Sequence, residues 1–143
     1  MSRLAKLWGR LLSLRATRRS LGRRGEDAAA KYLKRRGMRI IERGYDSPLG
    51  EIDIIAVDDR TVVFVEVKTR TSVNAGHGSE AIDATKQRRM TQAALGYLKS
   101  KQLLQNAARF DVVAVTWPSG AREPVIEHYR NAFASVGSGQ FFS

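Results

Sequence analysis

The alternation of apolar and polar positions divides this chain into helices and strands of ordinary length. Apolar residues at helical spacing predict a helix over 22–36, and Gly37 supplies a left-handed stop. Three β-rich segments follow, at 39–45, 51–57 (EIDIIAV) and 61–69 (TVVFVEVKT). Turn residues at 46–50 separate the first two, and the short loop 58–60 joins the last two as a hairpin.

The second half of the chain repeats the change from helix to strand. A polar loop over 70–78 leads to a long helix that we expect to be capped by Ser79 and to end near residue 100. Strands are predicted over 110–115 and 125–129. The order helix, three strands, helix, one or two strands predicts an α/β fold with a mixed sheet flanked by helices. We expect an N-terminal extension over 1–20, one domain over 21–130 and a flexible tail over 131–143.

Positive charge is concentrated in the first quarter of the chain. The formal net charge of the 143 residues is +11. Residues 1–36 hold 12 basic and two acidic side chains, whereas residues 37–143 hold 13 basic and 12 acidic ones. Such a basic segment suits nucleic-acid phosphates or an anionic membrane surface. Apolar residues at helical spacing in 2–20 are typical of a membrane-surface helix, a phosphate-binding arm or a partner-docked helix, and a frayed terminus fits equally well.

Composition excludes several classes of site. The chain has no cysteine, which excludes disulfides, thiol nucleophiles and thiolate zinc sites. Two histidines 51 positions apart do not form a metal site by themselves. No apolar run is long enough to span a membrane, and basic residues interrupt any secretory signal. The acid-free start also resembles an organellar transit peptide.

Two carboxylates interrupt the apolar pattern of the predicted hairpin. Asp53 lies among isoleucines, and Glu66 lies in a valine-rich run typical of a strand buried on both faces. A hairpin centred near position 59.5 places these two residues opposite each other on one face. Because their charges repel, a hard cation such as Mg²⁺ or Mn²⁺ is the favoured partner. The alternative is an ion pair of Lys68 with one of the two acids, which would only join the strands.

Lys68 adds a positive charge beside the two acids, because it lies two residues after Glu66 and therefore on the same face of the strand. A metal ion polarises a phosphoryl oxygen and activates water, while a neighbouring lysine stabilises developing negative charge. The arrangement favours phosphodiester hydrolysis.

The motifs resemble a known family. Gly50-Glu51-Ile52-Asp53 followed by FVEVK at 64–68 is similar to the D…(E/D)-x-K signature of restriction-endonuclease-like nucleases. More closely, the chain resembles the YraN-like family of small bacterial predicted endonucleases, which are distantly related to Holliday junction resolvases. The matching segments also include Gly22-x-x-Gly25-Glu26, the helix that carries Lys86, and RFDVV at 109–113, and they cover about residues 21–116. One departure is Gly44-Tyr45-Asp46, where the family usually has Asn-x-Arg.

This resemblance implies a restriction-endonuclease-like core and a set of site residues. Asp53 and Glu66 would bind the metal together with the Val67 carbonyl, Lys68 would serve the nucleophilic water, and Glu26 would add a further acid that is catalytic or metal-binding. The basic side chains that we assign to nucleic-acid phosphates are Arg18, Arg19, Arg23, Arg24, Arg70, Lys86 and Arg89.

The resulting hypothesis is a Mg²⁺- or Mn²⁺-dependent endonuclease that hydrolyses DNA, including branched or damaged forms. DNA is favoured over RNA as the partner, and the resemblance implies a bacterial cytoplasmic location. A homodimer would supply the two sites that cutting two strands needs, but the sequence leaves the oligomeric state open. Two alternatives remain: a non-catalytic nucleic-acid-binding module of the same fold, and a scaffold docked to a membrane or a protein through residues 1–20.

Overall fold

A computed structural model describes residues 2–71 and 82–135, with only the helical backbone described over 8–20. The first element, α1, is a single helix over Arg3–Arg35. The helix therefore begins well before the start predicted at residue 22, because no proline interrupts residues 3–35. The helix begins after Ser2, whose hydroxyl accepts a hydrogen bond from the Ala5 N–H, and it stops before Gly37 at φ +93°.

Five strands form one mixed sheet, in the order β1 (Arg39–Ser47), β2 (Gly50–Asp58), β3 (Thr61–Arg70), β4 (Ala108–Thr116) and β5 (Val125–Phe133). Neighbouring strands are antiparallel except β3 and β4, which are parallel. A parallel connection needs a long crossover, and helix α2 (Ala84–Ser100) lies within it. The mixed sheet with flanking helices confirms the α/β prediction.

The helices pack on opposite faces of the sheet and produce three layers. Apolar side chains of α2 and the sheet form one core cluster, around Phe64, Tyr97 and Phe110. A second cluster joins the C-terminal half of α1 to the other face, around Leu33 and Val113. The consecutive residues Val62, Val63, Phe64 and Val65 are all buried, as predicted for a strand covered on both faces. In the described parts of the chain, no helix is sufficiently long and apolar to cross a membrane.

Two predicted boundaries differ from the structure. Helix α2 is capped by Asp83, whose carboxylate accepts a hydrogen bond from the Lys86 N–H at 2.7 Å; the expected cap, Ser79, lies outside the described residues. Strand β5 continues to Phe133, beyond the end predicted at residue 129 and into the first residues of the segment 131–143 that is predicted as a tail. The ring of Phe133 stacks on Phe110 with centroids 4.6 Å apart, so apolar packing extends this strand. The remainder of that tail, 136–143, lies outside the described residues.

Candidate functional site

The site lies where the β2–β3 hairpin stops pairing. The register runs from Asp58 opposite Thr61 to Ile54 opposite Val65, which centres the hairpin at the predicted position. Asp53 and Glu66 follow immediately, at the open end of the strand pair. There the Asp53 Oδ2 accepts a hydrogen bond from the Val67 N–H at 2.8 Å. Where the two strands separate, the Asp53 carboxylate therefore serves as the hydrogen-bond acceptor for a backbone N–H of β3.

Glu66 is the buried acid of this site, with 5% of its surface exposed. Burial and the negative charge of Asp53 together raise the pKa of Glu66 to about 7, against the opposing charges of Lys86 and Lys68. The Lys86 Nζ lies 3.2 Å from the Glu66 Oε1. This lysine comes from the first turn of α2, so the helix supplies the cation that lies nearest to the acid.

Helix α1 brings a third acid to the same region. Burial raises the pKa of Glu26, as does the charge of Asp53, whereas Arg43 and Arg23 lower it. The helix approaches β3 closely at the preceding residue, Gly25. A β-carbon at that position would lie 2.8 and 2.9 Å from the Cγ2 and Cβ of Thr69, which is closer than side chains pack. The absence of a side chain at Gly25 therefore lets Glu26 approach the hairpin.

The donor set fits a hard divalent cation that keeps part of its water shell. Among the side chains of 2–7, 21–71 and 82–135, no group of three or more histidines and acids is gathered closely enough to hold a metal. Magnesium in proteins is commonly bound through one or two carboxylates, with waters and substrate phosphates as the other ligands. Asp53 and Glu66 supply two such carboxylates, and their mutual repulsion favours an added positive charge. Glu26 lies within electrostatic range of Asp53.

Other predicted residues lie around this centre. Lys68 is half-buried and acts electrostatically on Glu66. Lys86 is predicted from the sequence to contact DNA phosphates. In the structure it pairs with Glu66 and also lines a cavity of about 540 Å³. Arg89 lines the same cavity, together with the exposed Glu51 and with Asp46 of the departing Gly44-Tyr45-Asp46 segment.

The remaining basic residues are distributed along α1 and at the end of β3. Arg23 is exposed, and its positive charge lowers the pKa of Glu26. Arg24 packs on Trp117, with its guanidinium carbon 4.6 Å from the ring centroid. Arg70 ends β3, and its carbonyl accepts a hydrogen bond from the Trp117 N–H at 2.9 Å. Two further arginines, Arg18 and Arg19, lie on α1, but their side chains are outside the described part of the chain.

Gly44 lies where the YraN-like family that the sequence resembles usually has asparagine. Its φ is +62°, in the left-handed region that glycine and asparagine both occupy readily. Glycine in place of the family's usual asparagine is therefore compatible with this turn of the chain. The change in chemistry lies at Asp46, an exposed acid that lines the cavity beside Lys86.

One buried polar network was not identified as such from the sequence. Asp111 is fully buried on β4 and accepts hydrogen bonds from Arg109, His128 and the Asn131 N–H at 2.8 to 3.2 Å. Burial would raise the pKa of Asp111, but these hydrogen bonds outweigh it and hold the pKa below its usual value. Arg109 also bonds Asp58 at 2.9 Å, which connects β4 to the hairpin. The only sequence signal was an acid within the apolar run RFDVV.

Comparison with known proteins places the chain among bacterial relatives. It is 49% identical over 125 residues to a UPF0102 protein of Rhodopirellula baltica, an alignment that covers 85% of this chain and 75% of the relative. It is 47% identical over 116 residues to a UPF0102 protein of Syntrophotalea carbinolica, covering 81% and 93%. It is 50% identical over 113 residues to one of Geobacter sulfurreducens, covering 79% and 88%. The family model that matches residues 25–115 spans Glu26, the hairpin, α2 and most of β4. The chain belongs to the uncharacterised protein family UPF0102.

Proposed function

We propose that this protein is a divalent-metal-dependent endonuclease of the restriction-endonuclease-like kind, as its resemblance to the YraN-like nucleases suggests. Its substrate would be DNA, including branched or damaged forms, and its location the bacterial cytoplasm. The family description states no activity, so the proposal depends on the site itself.

The observation that carries the proposal is the pairing of Asp53 with Glu66 at the open end of the hairpin. Burial and the charge of Asp53 both oppose ionisation of Glu66, so the site favours an added cation. Structural ion pairs seldom place two carboxylates against each other in a buried setting, whereas sites that bind metal or transfer protons often do. The overall charge of +11 suits a polyanionic substrate.

The residues divide the chemistry among them. A bound Mg²⁺ or Mn²⁺ would polarise the scissile phosphate and lower the pKa of water. Asp53 and Glu66 would hold that ion, and the Val67 N–H fixes the orientation of the Asp53 carboxylate through its 2.8 Å hydrogen bond. Lys68, whose charge acts on Glu66, would add positive charge where the phosphate becomes more negative. Glu26 would accept a proton, because its raised pKa makes it a stronger base than an exposed glutamate.

A second candidate is favoured by one specific contact. Lys86 lies 3.2 Å from Glu66 and already supplies a positive charge to the buried acid. If this pair is permanent, the protein is a nucleic-acid-binding module without turnover, and the acids serve to fix α2 on the hairpin. This candidate predicts salt-sensitive binding with no cleavage in any metal.

A cleavage assay separates the two candidates. Purified full-length protein would be incubated with Mg²⁺ or Mn²⁺ and single-stranded, duplex, flapped and four-way-junction DNA. We expect cleavage that is lost in Asp53→Asn and kept in the control Asp59→Asn. Asp59 is an exposed turn residue at φ +56°, a conformation that asparagine also accepts. Cleavage that survives Asp53→Asn would refute the mechanism.

Thermal stability gives a second readout that does not depend on activity. A bound cation stabilises the folded state by mass action, so Mn²⁺ should raise the Tm of the wild type and of Asp59→Asn but not that of Asp53→Asn. Equal shifts in all three proteins would place the metal elsewhere. No shift and no cleavage, with DNA binding intact, would select the binding module.

A further inference from the structure

A basic groove lies on the side of α1 that faces the segment leading into β5. Its volume is about 700 Å³, within the range of ligand-binding sites. Six cationic side chains line it, against the two acids Asp27 and Glu123. The six are Arg24, Lys31, Lys34, Arg35, Arg43 and Arg122. We refer to this feature as the α1 groove.

The charge of the α1 groove is largely uncompensated. The one ion pair formed there by the described residues joins Arg43 to Asp27 at 2.6 Å. Because Asp27 is paired with Arg43, Glu123 is the one remaining lining acid among the described residues that can balance the other five cations. Like charges gathered in a concave surface raise the local potential and attract a polyanion. A phosphate chain is therefore the favoured ligand of this surface.

Trp117 adds an aromatic element to the same groove. Its ring carries the Arg24 guanidinium at 4.6 Å, and it lines the groove beside Arg122. The indole Nε1 is buried and is the side-chain donor without a hydrogen-bond acceptor in the described parts of the chain.

We propose that the α1 groove binds a single-stranded segment of nucleic acid. Backbone phosphates would contact Lys31, Arg35 and Arg122, and an unpaired base would replace the Arg24 guanidinium on the Trp117 ring. Basic grooves with an aromatic side chain are typical of single-strand binding, because every base has a face that can stack. A duplex keeps its bases paired, and a membrane surface does not enter a concave groove.

The groove adjoins the acid site along α1. Asp27, which lines the groove, follows Glu26 directly, and Arg43 acts on both residues. A strand in the groove would thus be led toward Asp53. That last step depends on the proposed nuclease function, whereas binding in the groove does not. Arg24, Trp117 and Arg122 lie outside residues 25–115, so the family match does not extend to these three groove residues.

Fluorescence tests the proposal directly. The chain has two tryptophans, so Trp8→Phe leaves Trp117 as the single tryptophan of the full-length protein. An oligothymidylate of about 12 nucleotides, added without divalent cation, should quench this emission. An abasic oligonucleotide of equal length should bind with much less quenching. Equal quenching by both, or stronger binding of a matched duplex, would overturn the proposal.

Charge reversal locates the site. Lys31→Glu/Arg122→Glu changes two groove residues, and Arg60→Glu/Lys99→Glu changes net charge equally at exposed positions outside the groove. The groove variant should lower single-strand affinity at least about tenfold more than the control and reduce the salt slope by about 1.4. Equal losses would refute the site.

Cleavage data keep the two proposals distinct. Binding is measured without metal, so a protein that binds in the groove and never cleaves would refute only the nuclease. A protein that cleaves while both charge-reversal variants bind alike would refute only the groove.

Discussion

Replacing Glu66 with glutamine should stabilise the protein at alkaline pH. The ordinary pKa of a glutamate is 4.5, and burial with the charge of Asp53 raises that of Glu66 to about 7. Each step of one in pKa corresponds to about 1.4 kcal/mol, so ionised Glu66 costs the folded state about 3 kcal/mol. Glutamine keeps the shape of the protonated acid and removes this cost. Lys86 loses its partner but is 42% exposed, so water solvates it readily.

The sign follows from proton binding. The folded protein holds the Glu66 proton more tightly than the unfolded chain, so wild-type stability falls as pH rises from about 4.5 to about 7. The penalty is absent below this window and complete above it. Glu66→Gln lacks the titrating group and should therefore gain about 3 kcal/mol over the wild type at pH 8, but under about 1 kcal/mol at pH 5.

Urea denaturation at the two pH values measures this difference without assumptions about other titrating groups, which are shared by both proteins. Glu51→Gln is the matched control, since Glu51 is an exposed carboxylate two residues before Asp53 and should show little change at either pH. If Glu66→Gln gains equal stability at pH 5 and pH 8, or loses stability at pH 8, then ionisation of Glu66 does not destabilise the folded state.

Two further predictions concern packing and the buried network. Gly25→Ala should destabilise the protein by about 1–3 kcal/mol, because the added β-carbon would collide with Thr69. Gly22→Ala, at a position in open space on the same helix, should stabilise the protein by up to about 1 kcal/mol. Thermal unfolding should therefore show a lower Tm for the first variant and a higher Tm for the second. Asp111→Ala should cost about 3–5 kcal/mol in urea denaturation, because the buried His128 ring and the Asn131 N–H lose their acceptor and Arg109 keeps only Asp58 as a partner. A loss below about 1 kcal/mol would refute that role.

The hairpin could be predicted because its determinants are local. Alternation of apolar residues fixes which face each side chain occupies, and the short loop at 58–60 fixes the register, so the position of Asp53 beside Glu66 follows from counting. The same reasoning identified both helices and all five strands, because the apolar face of each has to be buried.

What the sequence could not supply depends on contacts between distant elements. Lys86 was recognised as a functional candidate, but its pairing with Glu66 depends on how α2 docks across the sheet. The helix could begin at either of two good caps, and the choice of Asp83 sets which residue lies in the first turn. The α1 groove likewise joins residues about 90 positions apart, Arg24 and Trp117, whose contact no local pattern encodes.

The contact between Lys86 and Glu66 separates two interpretations of the site, a metal-binding site and a permanent structural ion pair. A lysine and a divalent cation would compete for the same carboxylate, so binding of the cation requires the 3.2 Å pair to loosen. Lys86 is more than one-third exposed and can move toward water or a phosphate, whereas Glu66 is buried and cannot move with it. An exposed lysine on a buried acid is therefore better suited to exchange with a cation than to act as a permanent structural link. If the proposed nuclease function holds, Lys86 would move from Glu66 to the substrate phosphate when Asp53 and Glu66 bind a metal ion.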